Sequence, residues 1–319
     1  MKPTVLISGV GQLGSRYLQG MAHMKQPIRI FAHDTSHVSL EQAEYRWKSE
    51  KTEGKQEDIA FLDSLKNVPE KVDCAIVATT ADVRPDVVEQ ICSQTSVNGW
   101  LLEKVLAQSA TGLDRLRRAI KDTPCWVNTP YFLFSLYRRL HRRVGAQPIR
   151  VEVSGKQGLA CNAIHYIDLV SRWGGSFVTS VDVSGLNEQW YRYPKRPKFF
   201  DVAGILSFSF SDGSYLSISG SEDVSNSEPY QFKMFVGDNI ITVHDEKGYA
   251  VLNKGARIYG AVDYQSTLTP RVVKSILNKR LPELPTLTES ITQHRPLLES
   301  LTSHFNRSRG TSLRDLSIS

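Results

Sequence analysis

No apolar run in this chain approaches the roughly 20 residues that a helix needs to cross a bilayer, so no membrane span is expected. Cysteine is scarce, four in 319 residues. Cys74, Cys92, Cys125 and Cys161 stand far apart in apolar or strand-like surroundings, with no C-x-x-C spacing. That pattern offers neither a zinc site nor a disulfide framework, and no bound metal is expected. Reduced core thiols are the expectation. There is no internal repeat. The opening stretch, "MKPTVLISGVGQLG", runs straight into a strand pattern, without a secretory leader's charged segment, apolar core and small-residue cleavage site. A cytoplasmic protein is therefore expected.

Charge is the next exclusion. Lys and Arg number 39 against 33 Asp and Glu, a formal net charge of +6. The basic residues fall in short helical clusters, "LDRLRRAIK" and "LYRRLHRRVG", with no basic tail or nucleic-acid motif. Such clusters are solvated helix faces before they are phosphate grips, and no nucleic-acid partner is expected. A positive cleft for an anionic small molecule fits the same charge.

What is present is a rhythm. Over residues 1–127 short apolar runs alternate with amphipathic helical patterns: "TVLISGV", "IRIFAHD", "VDCAIVATT", "GWLLEK" and "CWVNTP" as strands, with helices between them. One of those helices is expected at "FLDSLKNV". Continuous apolar strands separated by helices predict a doubly wound parallel sheet covered on both faces. From 128 to 319 the rhythm changes. "FVTSVDVSG", "GILSFSFSDGSYLSISGS" and "YQFKMFVGDNIITVHDE" alternate apolar and polar residues around the turns "SDGS" and "VGDN". This half is expected to be an α+β domain with an open, mainly antiparallel sheet, a helix over 162–173 that Asn162 opens, and a final amphipathic helix. The Ser/Arg-rich last dozen residues are expected to be mobile.

"LISGVGQLGSRYLQG" holds Gly9, Gly11 and Gly14 in G-x-G-x-x-G spacing, after a first strand and at the start of a helix. Asp34 ends the next strand. That context is the dinucleotide fingerprint. Gly9 permits the tight turn, Gly11 a close backbone approach to the pyrophosphate, and Gly14 close packing of helix on strand. Gln12 and Leu13 carry the free amides of the helix N-terminus toward the phosphates. Asp34 accepts from ribose hydroxyls and repels a 2′-phosphate, and "HDTS" brings no Arg or Lys directly after it, so NAD is the expected cofactor.

These motifs resemble the glucose-fructose oxidoreductase / inositol dehydrogenase / MocA family over nearly the whole length. The family's A-T-P-N-x-x-H signature is met by "ATTADVR", with Thr79 and Thr80 on the cofactor side and Arg84 in the histidine slot. Its E-K-P motif is met by Glu103 and Lys104, with Val105 for proline. Its D-x-G-x-H-x-x-D helix is met by "CNAIHYID", where His165 and Asp168 fit and Cys161 stands for the first aspartate. The resemblance implies a sugar dehydrogenase, with cofactor contacts at Thr79, Thr80, Glu103 and Lys104. Oxidising a carbinol requires a base that titrates near neutral pH, about 3 Å from the hydroxyl. His165 suits that role, Asp168 would orient it, and Lys104 at a strand end would stabilise charge on the same oxygen.

The substrate side is expected to include Asn128 and Tyr131 after the sixth strand, Asn162 in place of the missing aspartate, and Arg84 for an anionic group. The aromatic and basic stretch "EQWYRYPKRPKFFD" suits a sugar or an anion equally. Val105 predicts a trans peptide after Lys104, because a non-proline cis bond costs roughly 3 kcal/mol. The run "GLACNAIHYIDL" is similar to relatives from bacterial surface-glycan and nonulosonic-acid metabolism, which points to an anionic sugar. The same resemblance implies a homo-oligomer. Two alternatives stay open. One is an enzyme that retains NAD and epimerises or cleaves a glycoside. The other is a non-catalytic NAD-binding sensor or scaffold.

Overall fold

The computed structural model describes residues 2–50, 58–156, 158–193, 196–222, 230–253 and 255–319. The chain divides into two compact units. The first comprises Met1–Leu106, Gly112–Asn128 and Asp263–Leu287, the second Ala107–Thr111, Thr129–Val262 and Thr288–Ser319.

The first unit is built on β1 (Thr4–Ser8), α1 (Gly14–Ala22), β2 (Arg29–His33), α2 (His37–Ser49), β3 (Ile59–Leu62), β4 (Lys71–Val72), β5 (Cys74–Val77), α3 (Arg84–Gln94), β6 (Ser96–Val97), β7 (Trp100–Leu102), α4 (Ala110–Ile120) and β8 (Cys125–Val127). Six strands form one sheet in the order β3-β2-β1-β5-β7-β8, every pairing parallel, and β4 pairs separately with β6. Val5, Leu6 and Ile7 on β1 and Ala75, Ile76 and Val77 on β5 are all fully buried. Both faces of these strands are covered, as a parallel sheet requires. Arg115 on α4 ties to Asp86 and Glu89 on α3.

Two expectations are corrected here. "FLDSLKNV" is not a helix: its start closes β3 at the sheet edge, and only a short 3₁₀ turn follows at Leu65–Asn67. The pairing of Ile59–Leu62 with Ile30–His33 decides the matter over local propensity. The chain also returns to this unit through α7 (Gln265–Leu277), a helix that the division at 127/128 did not foresee. Gly20 makes room for it, since a Cβ there would lie 2.5 Å from the Ser266 carbonyl oxygen.

The second unit has α5 (Ser135–Val144), β9 (Ile149–Lys156), α6 (Leu159–Gly174) and β10 (Val178–Asp182). After these come β11 (Leu186–Arg192), β12 (Phe200–Phe210), β13 (Tyr215–Gly220), β14 (Gln231–Val236), β15 (Asn239–His244), β16 (Tyr249–Leu252) and β17 (Ala256–Tyr259), and then α8 (Leu287–Arg309) from residue 288 on. The sheet order is β10-β12-β13-β9-β14-β15-β16-β17, with β11 also on β12, and only β9–β13 is parallel. Alternation does the sorting. Phe232, Met234 and Val236 on β14 are fully buried while the residues between them are not. α6 packs on β9, β12 and β13.

The end of the tail, where mobility was expected, is packed and hydrogen-bonded. Leu316 and Ile318 are fully buried, Leu316 N–H donates to Gln108 O at 2.9 Å, and Phe200 N–H donates to Ser317 O at 2.7 Å. Two apolar side chains anchor a tail whose Ser/Arg content had read as disorder. Cys92 is exposed, unlike the buried Cys74, Cys125 and Cys161, and none of the four is in a disulfide. Among the described residues, no helix is long and apolar enough to cross a membrane, and no cluster of His, Cys, Asp and Glu could hold a metal ion.

Candidate active site

The glycine loop after β1 separates three roles. Gly9 sits at φ +90° and its N–H donates to His33 O at 2.9 Å, while a Cβ on it would lie 2.7 Å from Thr79 N. Gly14 opens α1 against Gly9, and a Cβ there would lie 1.8 Å from the Gly9 carbonyl oxygen. Packing alone demands both glycines. Gly11 differs: a Cβ would meet nothing within 4 Å, and its φ lies outside the left-handed region. The fold does not require glycine there. A phosphate-bearing ligand approaching the backbone would. Gln12 and Leu13 are exposed beside it, Leu13 provides no side-chain cap, and the first turn of α1 holds no acidic residue. The positive end of that helix is left for an anion.

Asp34 closes the loop from β2. Its Oδ2 accepts from Val10 N–H and its Oδ1 from Ser36 N–H, each at 2.9 Å. A carboxylate has about four lone-pair positions, so ribose hydroxyls could still be accepted. These residues fit a dinucleotide.

The ends of β5 and β7 carry the next group, and several expectations change there. Arg84 is 1% exposed and faces inward. Nη2 donates to Thr79 O and Nη1 to both Val105 O and Leu106 O, the last at 3.2 Å. It was expected to meet an anionic substrate, but three backbone carbonyls take its two terminal nitrogens. Burial pulls its pKa down to about 10, opposed chiefly by the negative charge of Glu103. The Lys104–Val105 peptide is cis, not trans. Local residue preference had argued for trans, and the contacts of the Val105 carbonyl lay beyond that argument.

Glu103 is 3% exposed and is an internal hub rather than an open cofactor contact. Its Oε1 accepts from the Tyr17 hydroxyl on α1 and from Asn128 Nδ2 at 2.6 Å, and Asn128 Nδ2 also donates to Gln265 Oε1 on α7 at 2.8 Å. Asn128, expected to face substrate, is thus 5% exposed and joined to the framework. Thr79 and Thr80 are half-buried. Thr80 O accepts the Arg84 N–H that starts α3. Lys104 is half-exposed one residue beyond this hub.

In the second unit α6 begins at Leu159, three residues before the expected start, so Asn162 lies inside the helix and is not its cap. Gly158 in the left-handed region precedes it and offers no capping side chain. Asp201 on β12 does that work, accepting from Ala160 N–H at 3.0 Å and Val202 N–H at 2.8 Å. A cap supplied from 41 residues away leaves no local signal.

His165 is half-buried, its ring stacked on Tyr131 with centroids 5.2 Å apart and planes 8° apart. Tyr131 stacks in turn on Tyr137 and meets Tyr166 edge-on. Tyr166 and Tyr230 hydroxyls lie 3.4 Å apart, and Tyr230 donates to Asp245 Oδ2 at 3.2 Å. Reading the sequence missed Tyr166, Tyr230 and Asp245, which come together only through β14 and β15. Asp168 is fully buried and takes its hydrogen bond from Gln293 Nε2 on α8 at 3.2 Å, instead of from the histidine as expected. The shared helix face was foreseen, but α8 packing against it was not. Burial pushes the Asp168 carboxyl up to about 6, with Arg172, Gln293 and Thr129 opposing.

"EQWYRYPKRPKFFD" is largely framework. It contributes β11, with Trp190 at 2% exposure donating to His304 Nδ1 at 3.1 Å, and Phe199 is equally buried. Its described cations lie over its own rings: Arg192 over Phe200, Arg196 over Tyr193, Lys198 over Phe199.

No protein-family model and no curated protein matches the sequence. Solved structures do match. A UDP-N-acetylglucosamine 3-dehydrogenase from Acidithiobacillus ferrooxidans aligns over 94% of this chain and 96% of its own, with TM-score 0.68 and 14% identity. A myo-inositol dehydrogenase from Lactobacillus casei, solved with NAD(H) and myo-inositol, aligns over 97% and 95%, with TM-score 0.66 and 13% identity. An Agrobacterium radiobacter oxidoreductase, solved with NAD+, L-tartaric acid and magnesium, aligns over 97% and 98%, with TM-score 0.69 and 11% identity. Over nearly its whole length the chain is similar in fold to these oxidoreductases, a parallel α/β sheet followed by a mainly antiparallel one.

Proposed function

We propose that this protein is an NAD-dependent oxidoreductase acting on a carbinol or keto carbon of a sugar, polyol or nucleotide-sugar. The observation that carries the reading is Gly11, a glycine that nothing in the protein's own packing requires, in a loop whose neighbouring glycines are both required. In this reading Gly9, Gly11, Gln12, Leu13 and Gly14 hold the pyrophosphate against the α1 N-terminus, and Asp34 holds the adenosine ribose. Thr79 and Thr80 border the nicotinamide end. NAD, when bound, supplies the two-electron acceptor or donor for the reacting C–H bond.

The chain's own residues supply the proton chemistry. His165 takes the hydroxyl proton during oxidation and returns it in reduction. Tyr131 holds the imidazole plane by stacking. Lys104 stabilises negative charge developing on the substrate oxygen, and Asn162, on the same helix as His165, hydrogen-bonds the sugar. Asp168, held by Gln293, sets the charge beneath the helix rather than touching the ring. The narrowest form of the proposal is an anionic sugar from bacterial surface-glycan metabolism in a cytoplasmic homo-oligomer. Arg84 no longer supports the anion, so neutral polyols are equal candidates.

The test is a turnover screen. Reduced-nicotinamide absorbance is followed with NAD+ or NADP+ against myo-inositol, hexoses, uronic acids and UDP-sugars. Turnover with NAD+ that His165→Ala abolishes supports the reading. Absence of any NAD(H) binding would remove it.

A further inference from the structure

We propose that Arg84 is a positioning residue: it ties the loop after β5 to the loop after β7 and so fixes the backbone from which Lys104 projects. β5 and β7 are neighbouring parallel strands with Val77 beside Leu102, so their C-terminal ends open side by side, where open α/β sheets bind ligands. One loop carries Thr79 and Thr80, the other Glu103 and Lys104. Arg84, the first residue of α3, puts one guanidinium nitrogen on Thr79 O and the other on Val105 O and Leu106 O. Its own N–H donates to Thr80 O at 3.2 Å, so the clamp is anchored at both backbone and side chain.

The residue type matters. A guanidinium is planar, with five donors in a fixed fork, and can meet carbonyls on two segments at once, whereas an ammonium is a single point. Burying such a charge at 1% exposure is costly unless it is hydrogen-bonded and compensated. Here the carbonyls provide the hydrogen bonds and Glu103 the opposite charge, and with its pKa near 10 the group stays charged at neutral pH. A buried cation that joins the Thr79 carbonyl of one loop to the two carbonyls that follow Lys104 on the other has a positioning role, and none of its three side-chain hydrogen bonds faces a substrate. This inference rests on the dinucleotide reading of the same strand ends.

The experiment compares the full-length protein with Arg84→Gln and Arg84→Lys by two readouts. NADH affinity is measured by fluorescence titration. Acetylation of Lys104 by acetic anhydride is followed by peptide mass spectrometry, with exposed Lys66 as internal control. Loss of the fork should weaken NADH about tenfold in Arg84→Gln, the scale of a lost charged hydrogen bond. Lys104 labelling should change about threefold or more on the same grounds while Lys66 does not change. Arg84→Lys should recover part of both. If Arg84→Gln does not fold, Arg84→Lys decides alone. Folded variants that bind NADH and label Lys104 as the wild type does would overturn the proposal. A wild type that does not bind NADH would sink the dinucleotide reading instead, and the labelling comparison would still test the clamp.

Discussion

Asp168 offers a prediction in which function and stability pull apart. Its carboxyl is fully buried and its pKa stands at about 6, against an ordinary 3.8, because desolvation outweighs the help from Arg172, Gln293 and Thr129. The folded chain therefore holds this proton more tightly than the unfolded chain. The resulting stability is fully present below about pH 4 and is lost as pH climbs through about 6. At about 1.4 kcal/mol per pH unit, the ionised carboxylate costs the fold about 3 kcal/mol near pH 8. Asp168→Asn removes that charge while keeping an oxygen to accept from Gln293. The variant should thus be more stable than wild type at pH 8, by on the order of 6–12 °C in Tm for a unit of this size. The gain should shrink to nothing near pH 4. Thermal unfolding by circular dichroism at pH steps from 4 to 8 reads the difference directly. A pH-independent difference, or a variant less stable at pH 8, would refute the reasoning. If the carboxylate serves the site, the same variant should lose activity as it gains stability, the usual trade at functional positions.

The remaining predictions address the two units separately. Once a substrate is found, His165→Ala should lower kcat by about 10²- to 10⁴-fold with NADH affinity nearly unchanged; wild-type turnover would make the histidine a packing residue. Asp34→Ala should narrow the preference for NAD+ over NADP+, read as the ratio of kcat/KM values, and an unchanged ratio would remove Asp34 from cofactor choice. Leu316→Ala should cost about 2–5 kcal/mol, the range for an emptied core leucine, in urea unfolding. A loss under about 0.5 kcal/mol, typical of surface changes, would mean the tail is not anchored as described.

The parallel sheet was legible because its signal is local. β1, β5 and β7 are unbroken apolar runs, and Gly9, Gly11, Gly14 and Asp34 stand at fixed offsets from them. α7 was not, because Pro270 inside it breaks the helical pattern, and the glycine that makes room for it, Gly20, lies some 245 residues earlier. β3 read as a helix because four half-buried residues carry little period of their own. The site residues show the same division. His165 and Lys104 are picked out by residue type and motif. The internal hydrogen bonds of Arg84, Glu103 and Asn128 were not legible, because a charged or amide side chain looks alike in sequence whether it faces a ligand or a buried partner. Asp201, Gln293 and Tyr230 reach α6 from distant parts of the chain, and nothing near "CNAIHYID" announces them.

The central claim, that the loop after β1 was shaped by a dinucleotide, is tested most directly at Gly11. A Cβ there meets nothing within 4 Å, so Gly11→Ala should leave the Tm within a few degrees of wild type. Calorimetric titration with NADH should show saturable binding to the wild type and binding weakened about tenfold or more in the variant, because the methyl group occupies the path of the pyrophosphate. Equal NADH affinity in the two folded proteins, or no binding to either, would contradict the account.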